Sequence, residues 1–143
     1  MLYKINREIL KDNHKEILLL LETVENDKEY CQKKIDELIK FVDSNDTYLF
    51  GHIENNKLVS FLWCYKRNYN NTERLHISFL AVNCDFQRQG LAKELLNKVI
   101  EILKSTDIEI IDLNVSSNNK AAIKLYEKLG FIEESRLLKF RKD

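Results

Sequence analysis

The sequence predicts an α/β domain built on a mixed sheet, antiparallel in its first half and parallel at its centre. Three observations predict it. From Thr47 to Val82 apolar residues recur mainly with a period of two, interrupted by asparagine-bearing turns, as in successive hairpins. Leu91, Leu95, Leu96, Val99 and Leu103 then recur at helical spacing. The mostly apolar run Ile108 to Val115 follows that helix, so it joins the preceding strand by a crossover and should run parallel to it.

Composition bounds the rest. The chain has 143 residues, 44% of them apolar, which suits one domain over residues 1–143 with a real core. Lys+Arg and Asp+Glu both number 23, so no net charge draws the chain to nucleic acid or an anionic membrane. No stretch is long enough to span a bilayer, and the charged N-terminal segment lacks the layout of a signal peptide. Cys31, Cys64 and Cys84 are odd in number, isolated and not spaced as metal ligands. They predict a reducing, cytoplasmic setting with no metal and no disulfide scaffold.

In chain order, Leu2 to Asn6 reads as a short strand. Asp12 or Asn13 then caps a helix carrying Ile17, Leu18, Leu20, Leu21 and Val24, and Asp27 caps a second with Cys31, Ile35, Leu38, Ile39 and Val42 on one stripe. The junction, with Glu22, Glu25, Asp27 and Glu29, is either a solvated helix start or a patch that greets a cationic substrate. Tyr48 to Ile53 and Leu58 to Tyr65 flank a turn at Glu54–Lys57 in which asparagine supplies the conformation. The alternating Val59, Phe61, Trp63 and Tyr65 suit a core face. A polar loop from Lys66 to Thr72 leads to a strand from Arg74 to Val82, and after the crossover a last helix runs from Asn118 or Asn119 to Gly130. Phe131 to Glu134 and Leu137 to Arg141 read as two short strands that close the sheet.

The turn Gln87-Arg88-Gln89-Gly90-Leu91-Ala92 follows the strand and opens directly into a helix. The first amides of a helix have no intrahelical partner and carry partial positive charge, and a glycine lets a ligand approach the backbone. A phosphate or pyrophosphate fits such a turn. Taken alone, Gly90 is equally an ordinary loop glycine before a surface helix.

Together with Asn119-Lys120-Ala121-Ala122-Ile123-Lys124-Leu125-Tyr126-Glu127-Lys128-Leu129-Gly130-Phe131, this turn resembles the GNAT superfamily of N-acyltransferases, and the likeness covers essentially the whole chain. It departs at Cys84, where many members carry proline. The resemblance implies a mixed sheet of about seven strands with about four helices, whose parallel central pair splays apart at the cofactor site. It implies an acetyl-CoA-dependent N-acetyltransferase, with acetyl-CoA as acyl donor and no metal. By the same resemblance the amides from Arg88 to Ala92 cradle the pyrophosphate, Leu80 and Val82 pair with pantetheine and polarise the thioester, and Asn119 contacts cofactor or caps its helix. Arg88, Lys93 or Lys124 are further candidates to meet the phosphates. Tyr126 matches the tyrosine that protonates the departing sulfur, where an unassigned helix aromatic would otherwise read as core packing. His76 stands where related members carry a glutamate base; it is the candidate base or a structural histidine, with Glu73, placed in the loop, as its rival. His14 and His52 show no partner that suggests chemistry. The acceptor is expected to be a small cationic or sugar amine or a protein amine, with no nucleic acid or membrane partner, and a homodimer is an assembly the family admits. A silent CoA-binding regulatory module, another acyl group and a hydroxyl acceptor stay open as alternatives.

Overall fold

The computed structural model describes residues 1–142. In chain order it forms β1 (Leu2–Lys4), α1 (Arg7–Asp12), α2 (His14–Val24), α3 (Lys28–Phe41), β2 (Thr47–Glu54), β3 (Lys57–Leu58), β4 (Ser60–Tyr69), β5 (Thr72–Val82), a single 3-10 turn (Cys84–Phe86), α4 (Leu91–Lys104), β6 (Ile111–Leu113) and α5 (Lys120–Lys128). The six strands are ordered β1-β2-β4-β5-β6, with β3 beside β2. All neighbours are antiparallel except β5 and β6, which run parallel as the crossover requires.

Alternation along the strands splits the core into two layers. Leu49, Phe61, Trp63, Phe79 and Ala81 pack under α1, α2 and α3, whereas Phe50, Leu62, Cys64, Leu75 and Ile77 pack under α4 with Leu125 and Tyr126 of α5 and Leu129 at its end. The aromatic row is core, as expected: Trp63 stacks on Phe79 at 6.4 Å. Both hairpin tips are asparagine pairs in the left-handed region, Asn55-Asn56 and Asn70-Asn71. That conformation matches strand twist in a two-residue turn, and asparagine tolerates it.

Several expectations are corrected. The stretch Lys66 to Thr72 is no loop: β4 and β5 continue to a tight turn, with Tyr69 paired to Thr72. Glu73 therefore lies in a strand, exposed. An additional helix, α1, is capped by Asn6, whose side chain accepts from the Ile9 amide at 2.8 Å. Neither Asp12 nor Asn13 caps α2 through its side chain; Asn13 instead donates to the Ile9 carbonyl and accepts from the Leu58 amide, tying the helix junction to β3. Asp27 does cap α3, accepting from the Tyr30 amide. The regular strand within Ile108 to Val115 is only Ile111–Leu113. Phe131 to Glu134 and Leu137 to Arg141 form no strands, so the sheet ends at β6, one strand short of seven. Strand composition is present in that segment, but among the described residues no strand pairs with its backbone.

Candidate active site

The site is built where β5 and β6 part. The two strands pair at Leu75↔Ile111, His76↔Asp112 and Ile77↔Leu113, and no pairing continues beyond, although β5 runs on to Val82. A register shift against β4 between Trp63 and Cys64 bends β5 at this point. The Asn83 amide bonds the Val59 carbonyl on the β4 side. Alternation then turns the peptide groups of Val82 and Leu80 toward the opposite, open edge. The Val82 carbonyl there receives the side-chain amide of Gln87 at 3.2 Å.

The loop after β5 is held by its own side chains. Asn83 accepts from the Asp85 amide and caps the 3-10 turn that Cys84 opens. At that first position an N–H has no partner to lose, so a proline would stiffen the turn without costing a bond, and Cys84 forgoes only the stiffness. Arg88 and Gly90 both adopt positive φ, 66° and 78°, and Gly90 caps α4 with no side-chain hydrogen bond to its first amides. The whole loop from Gln87 to Gly90 is exposed. Left-handed backbone at Arg88 and Gly90 leads into a helix start whose first N–H groups receive no side-chain cap.

On the α5 side, Asn119 accepts from the Ala122 amide at 3.2 Å, so its capping role is realised. Gly130 ends the helix at φ 101°, with the Gly130 amide on the Glu127 carbonyl and the Phe131 amide on the Tyr126 carbonyl. These two bonds and the Tyr126–Phe131 ring contact at 5.6 Å make a Schellman cap that fixes Tyr126. Its ring is half-buried in the α4 layer, and burial raises the phenol above its ordinary pKa.

His76 lies on the other face, its ring centroid 5.4 Å from that of Tyr65 in an edge-on contact. Its Nδ1 is 2.8 Å from Asp112 Oδ1 on the paired strand, one residue before the β5–β6 pairing ends. Asp112 Oδ2 also accepts from Arg67 at 2.6 Å and Arg74 at 3.3 Å, and Arg74 makes a two-toothed pair with Glu134 at 2.9 and 2.8 Å. Both guanidinium groups sit over the Tyr69 ring. Burial lowers the His76 pKa; the Asp112 hydrogen bond works against that and the Arg67 charge adds to it. Burial would raise the Asp112 carboxyl, yet the hydrogen bonds from Arg67 and His76 outweigh it and hold it below its ordinary value. Asp112 is the residue that sequence reasoning missed. An aspartate in a mostly apolar strand was its only sequence signal, and its partners are brought to it by pairing of β4, β5 and β6.

His52 is also corrected. It is buried, with the Ser60 hydroxyl 2.6 Å from Nδ1 and Glu94 2.5 Å from Nε2. Ser60 Oγ also accepts the His52 amide at 2.8 Å, so the ring is held between Ser60 and Glu94. The chain thereby ties β2 and β4 to the first turn of α4. In the acidic junction, Asp27 caps α3 and Glu25 accepts weakly from the Asp27 amide, so two of its acids serve local backbone. Among the described residues no helix is long and apolar enough to cross a membrane.

Residues 8–131 match the family described as "Acetyltransferase (GNAT) family". N-alpha-acetyltransferase 30 of Xenopus laevis is 36% identical over 67 residues, 47% of this chain and 24% of that protein. The [Ribosomal protein bS18]-alanine N-acetyltransferase of Escherichia coli is 46% identical over 54 residues, 38% of this chain and 36% of that one. The matched stretches thus span well under half the length of these relatives. A solved aminoglycoside N-acetyltransferase, AAC(6')-Iy in complex with CoA, superposes with a TM-score of 0.76 at 17% identity, covering 99% of this chain and 93% of the other. At that identity the likeness shows the fold.

Proposed function

The chain belongs to the acetyltransferase (GNAT) family, and from that membership we propose that it transfers the acetyl group of acetyl-CoA to a primary amine by direct attack, acting in the cytoplasm as one domain over residues 1–143. The observation that carries this is the open edge of β5 between Ile77 and Val82, lying beside the left-handed turn that starts α4. Pantetheine runs along that edge, taking its backbone bonds from Leu80 and Val82, and the amides from Arg88 to Ala92 hold the pyrophosphate; Gln87 braces the Val82 carbonyl and Asn119 the start of α5. Tyr126 and His76 sit on opposite faces of the sheet. A thioester threaded through the gap between β5 and β6 meets both.

The amine nitrogen attacks the thioester carbonyl carbon, and a peptide N–H at Leu80 or Val82 stabilises the oxyanion. The C–S bond then breaks. The amine proton passes to His76, and the thiolate takes the Tyr126 proton, which solvent restores. With Nδ1–H held by Asp112, the basic nitrogen of neutral His76 is Nε2. A base of lowered pKa suits an α-amine, with an ordinary pKa of about 8, better than a lysine near 10.4. Together with the N-alpha-acetyltransferase relatives, this favours a peptide N-terminus as acceptor.

The test is calorimetry with acetyl-CoA, followed by thiol release with free-amine peptides, N-blocked lysine peptides, polyamines and aminoglycosides. Binding of acetyl-CoA and transfer to α-amines is expected. Transfer to the other amines alone would replace the acceptor, and binding without transfer to any would make the chain a CoA-binding module.

The base assignment makes a second prediction. Neutral imidazole is the active form and burial lowers the His76 pKa, so the acidic fall in wild-type turnover is expected only below the ordinary imidazole range. His76→Ala should lose on the order of 100-fold near neutrality. That loss should shrink as rising pH deprotonates the amine itself. Asp112→Asn removes the carboxylate that raises the His76 pKa and frees two arginine charges beside it, so its acidic limb should move to lower pH while turnover drops. An unmoved limb in Asp112→Asn, or wild-type rates in His76→Ala, would discard the assignment.

A further inference from the structure

Two arginines stand directly opposite each other on one face of the sheet, Arg67 on β4 and Arg74 on β5. Like charges in that arrangement repel and destabilise a strand pair. Asp112 accepts from both guanidinium groups, but one carboxylate does not neutralise two cations, and the second counter-charge is Glu134. These two acids differ in kind. Asp112 is fixed in β6 and also holds His76. Glu134 lies beyond the last helix, in a stretch with no strand pairing among the described residues. Its side chain is 57% exposed, whereas that of Arg74 is 8% exposed. A buried guanidinium is thus covered by a carboxylate that stands in solvent. Among the described residues, neither the Nε of Arg67 nor that of Arg74 has a hydrogen-bond partner, so the pair is not saturated as a purely structural ion-pair network would be.

We propose that Arg67 and Arg74 form a carboxylate-binding subsite of the acceptor pocket, with Glu134 as its resident occupant, and that an acidic side chain of the incoming peptide displaces Glu134. The inference rests on the reading of the acceptor as a peptide N-terminus. Arg74 and His76 are two residues apart on β5, so they share a face and are roughly 7 Å apart along the strand. An acceptor with its amine at His76 reaches the subsite with the side chain of its second residue: one Cα step of about 3.8 Å and the two or three bonds of an aspartate or glutamate span that distance. The exchange replaces one carboxylate with another. Without Glu134, the two arginines and Asp112 carry one net positive charge, and the incoming acid restores neutrality. The planar fork of Arg74, which takes both oxygens of Glu134 at 2.9 and 2.8 Å, accommodates a substrate carboxylate in the same way. A lysine at that position of the acceptor meets like charge instead.

The test uses three peptides that differ only at the second residue, which is aspartate, asparagine or lysine. Calorimetry is run with CoA in place of acetyl-CoA, so that binding is read without transfer, and thiol release with acetyl-CoA is measured separately. The wild type should favour the aspartate peptide over the asparagine peptide by about 10-fold in both Kd and kcat/KM, the worth of one charge-assisted pair. The lysine peptide should be weaker still. Arg74→Gln should erase the preference. Glu134→Ala, at an exposed side chain, keeps the test readable should Arg74→Gln not fold, and it should widen the preference by a further ~10-fold as the open arginine pair becomes the dominant state. A clamp that only holds the end of the chain predicts instead that Glu134→Ala lowers the melting temperature and shifts all three peptides alike. An aspartate preference in binding without thiol release would support the subsite and remove the transfer reaction. Transfer without that preference, a preference retained in Arg74→Gln, or no widening in Glu134→Ala would each overturn the subsite and leave the reaction standing. Failure of all three peptides to bind would overturn both.

Discussion

Tyr126→Phe is expected to lower turnover by about 100-fold, the low end of what a positioned proton donor contributes, while acetyl-CoA affinity stays within about twofold. Tyr126 is on the last full turn of α5, where its carbonyl receives the Phe131 amide and its ring packs on Phe131 and the α4 layer. Phenylalanine keeps that packing and loses only the hydroxyl, so stability should change by less than about 1 kcal/mol. Burial raises the phenol pKa, so the group remains protonated across the working pH range and can donate to sulfur as charge develops there. A role limited to packing predicts the opposite pattern, with unchanged turnover. Steady-state kcat and KM with the best acceptor decide it, and wild-type kcat in the variant would remove Tyr126 from the chemistry.

Gly51→Ala is expected to cost about 3 kcal/mol of stability, at the upper end for overpacking, and Gly51→Val more. A Cβ at this position would lie 2.5 Å from the Ser60 carbonyl oxygen and 2.8 Å from Leu58 Cδ1. The first of these is backbone and cannot swing aside. Relief requires β4 to move away from β2, which would pull Ser60 from His52 and loosen the tie through Glu94 to the first turn of α4. For a chain of this size the melting temperature should fall by roughly 10 °C. Gly130→Ala is the control: open space surrounds that Cβ, but φ is 101°, so the cost is left-handed strain of about 1–2 kcal/mol. Urea titration with an unchanged slope measures both. Equal destabilisation by the two substitutions would show that packing at Gly51 is not the cause. Because the tie ends beside the proposed pyrophosphate turn, Gly51→Ala should also weaken acetyl-CoA binding, which Gly130→Ala tests from the α5 side.

The sequence by itself determined the parts whose causes are local. The period of two through β2, β4 and β5, the apolar stripe of α4, the Asp27 and Asn119 caps, the Gly130 stop and the left-handed Gly90 all follow from side-chain spacing and backbone preference within a few residues. The parallel β5–β6 pair follows from the crossover. Tertiary structure alone decided the rest, because the partners are far apart in the chain. Asp112 reaches His76 over 36 residues and Arg67 over 45, and His52 reaches Glu94 over 42. Asn70-Asn71 was legible as polar but not as a tight turn, since only pairing of Tyr69 with Thr72 closes it. The end of the chain shows the limit most clearly. Its residues prefer a strand, but a strand exists only where another backbone offers hydrogen bonds, and among the described residues none does.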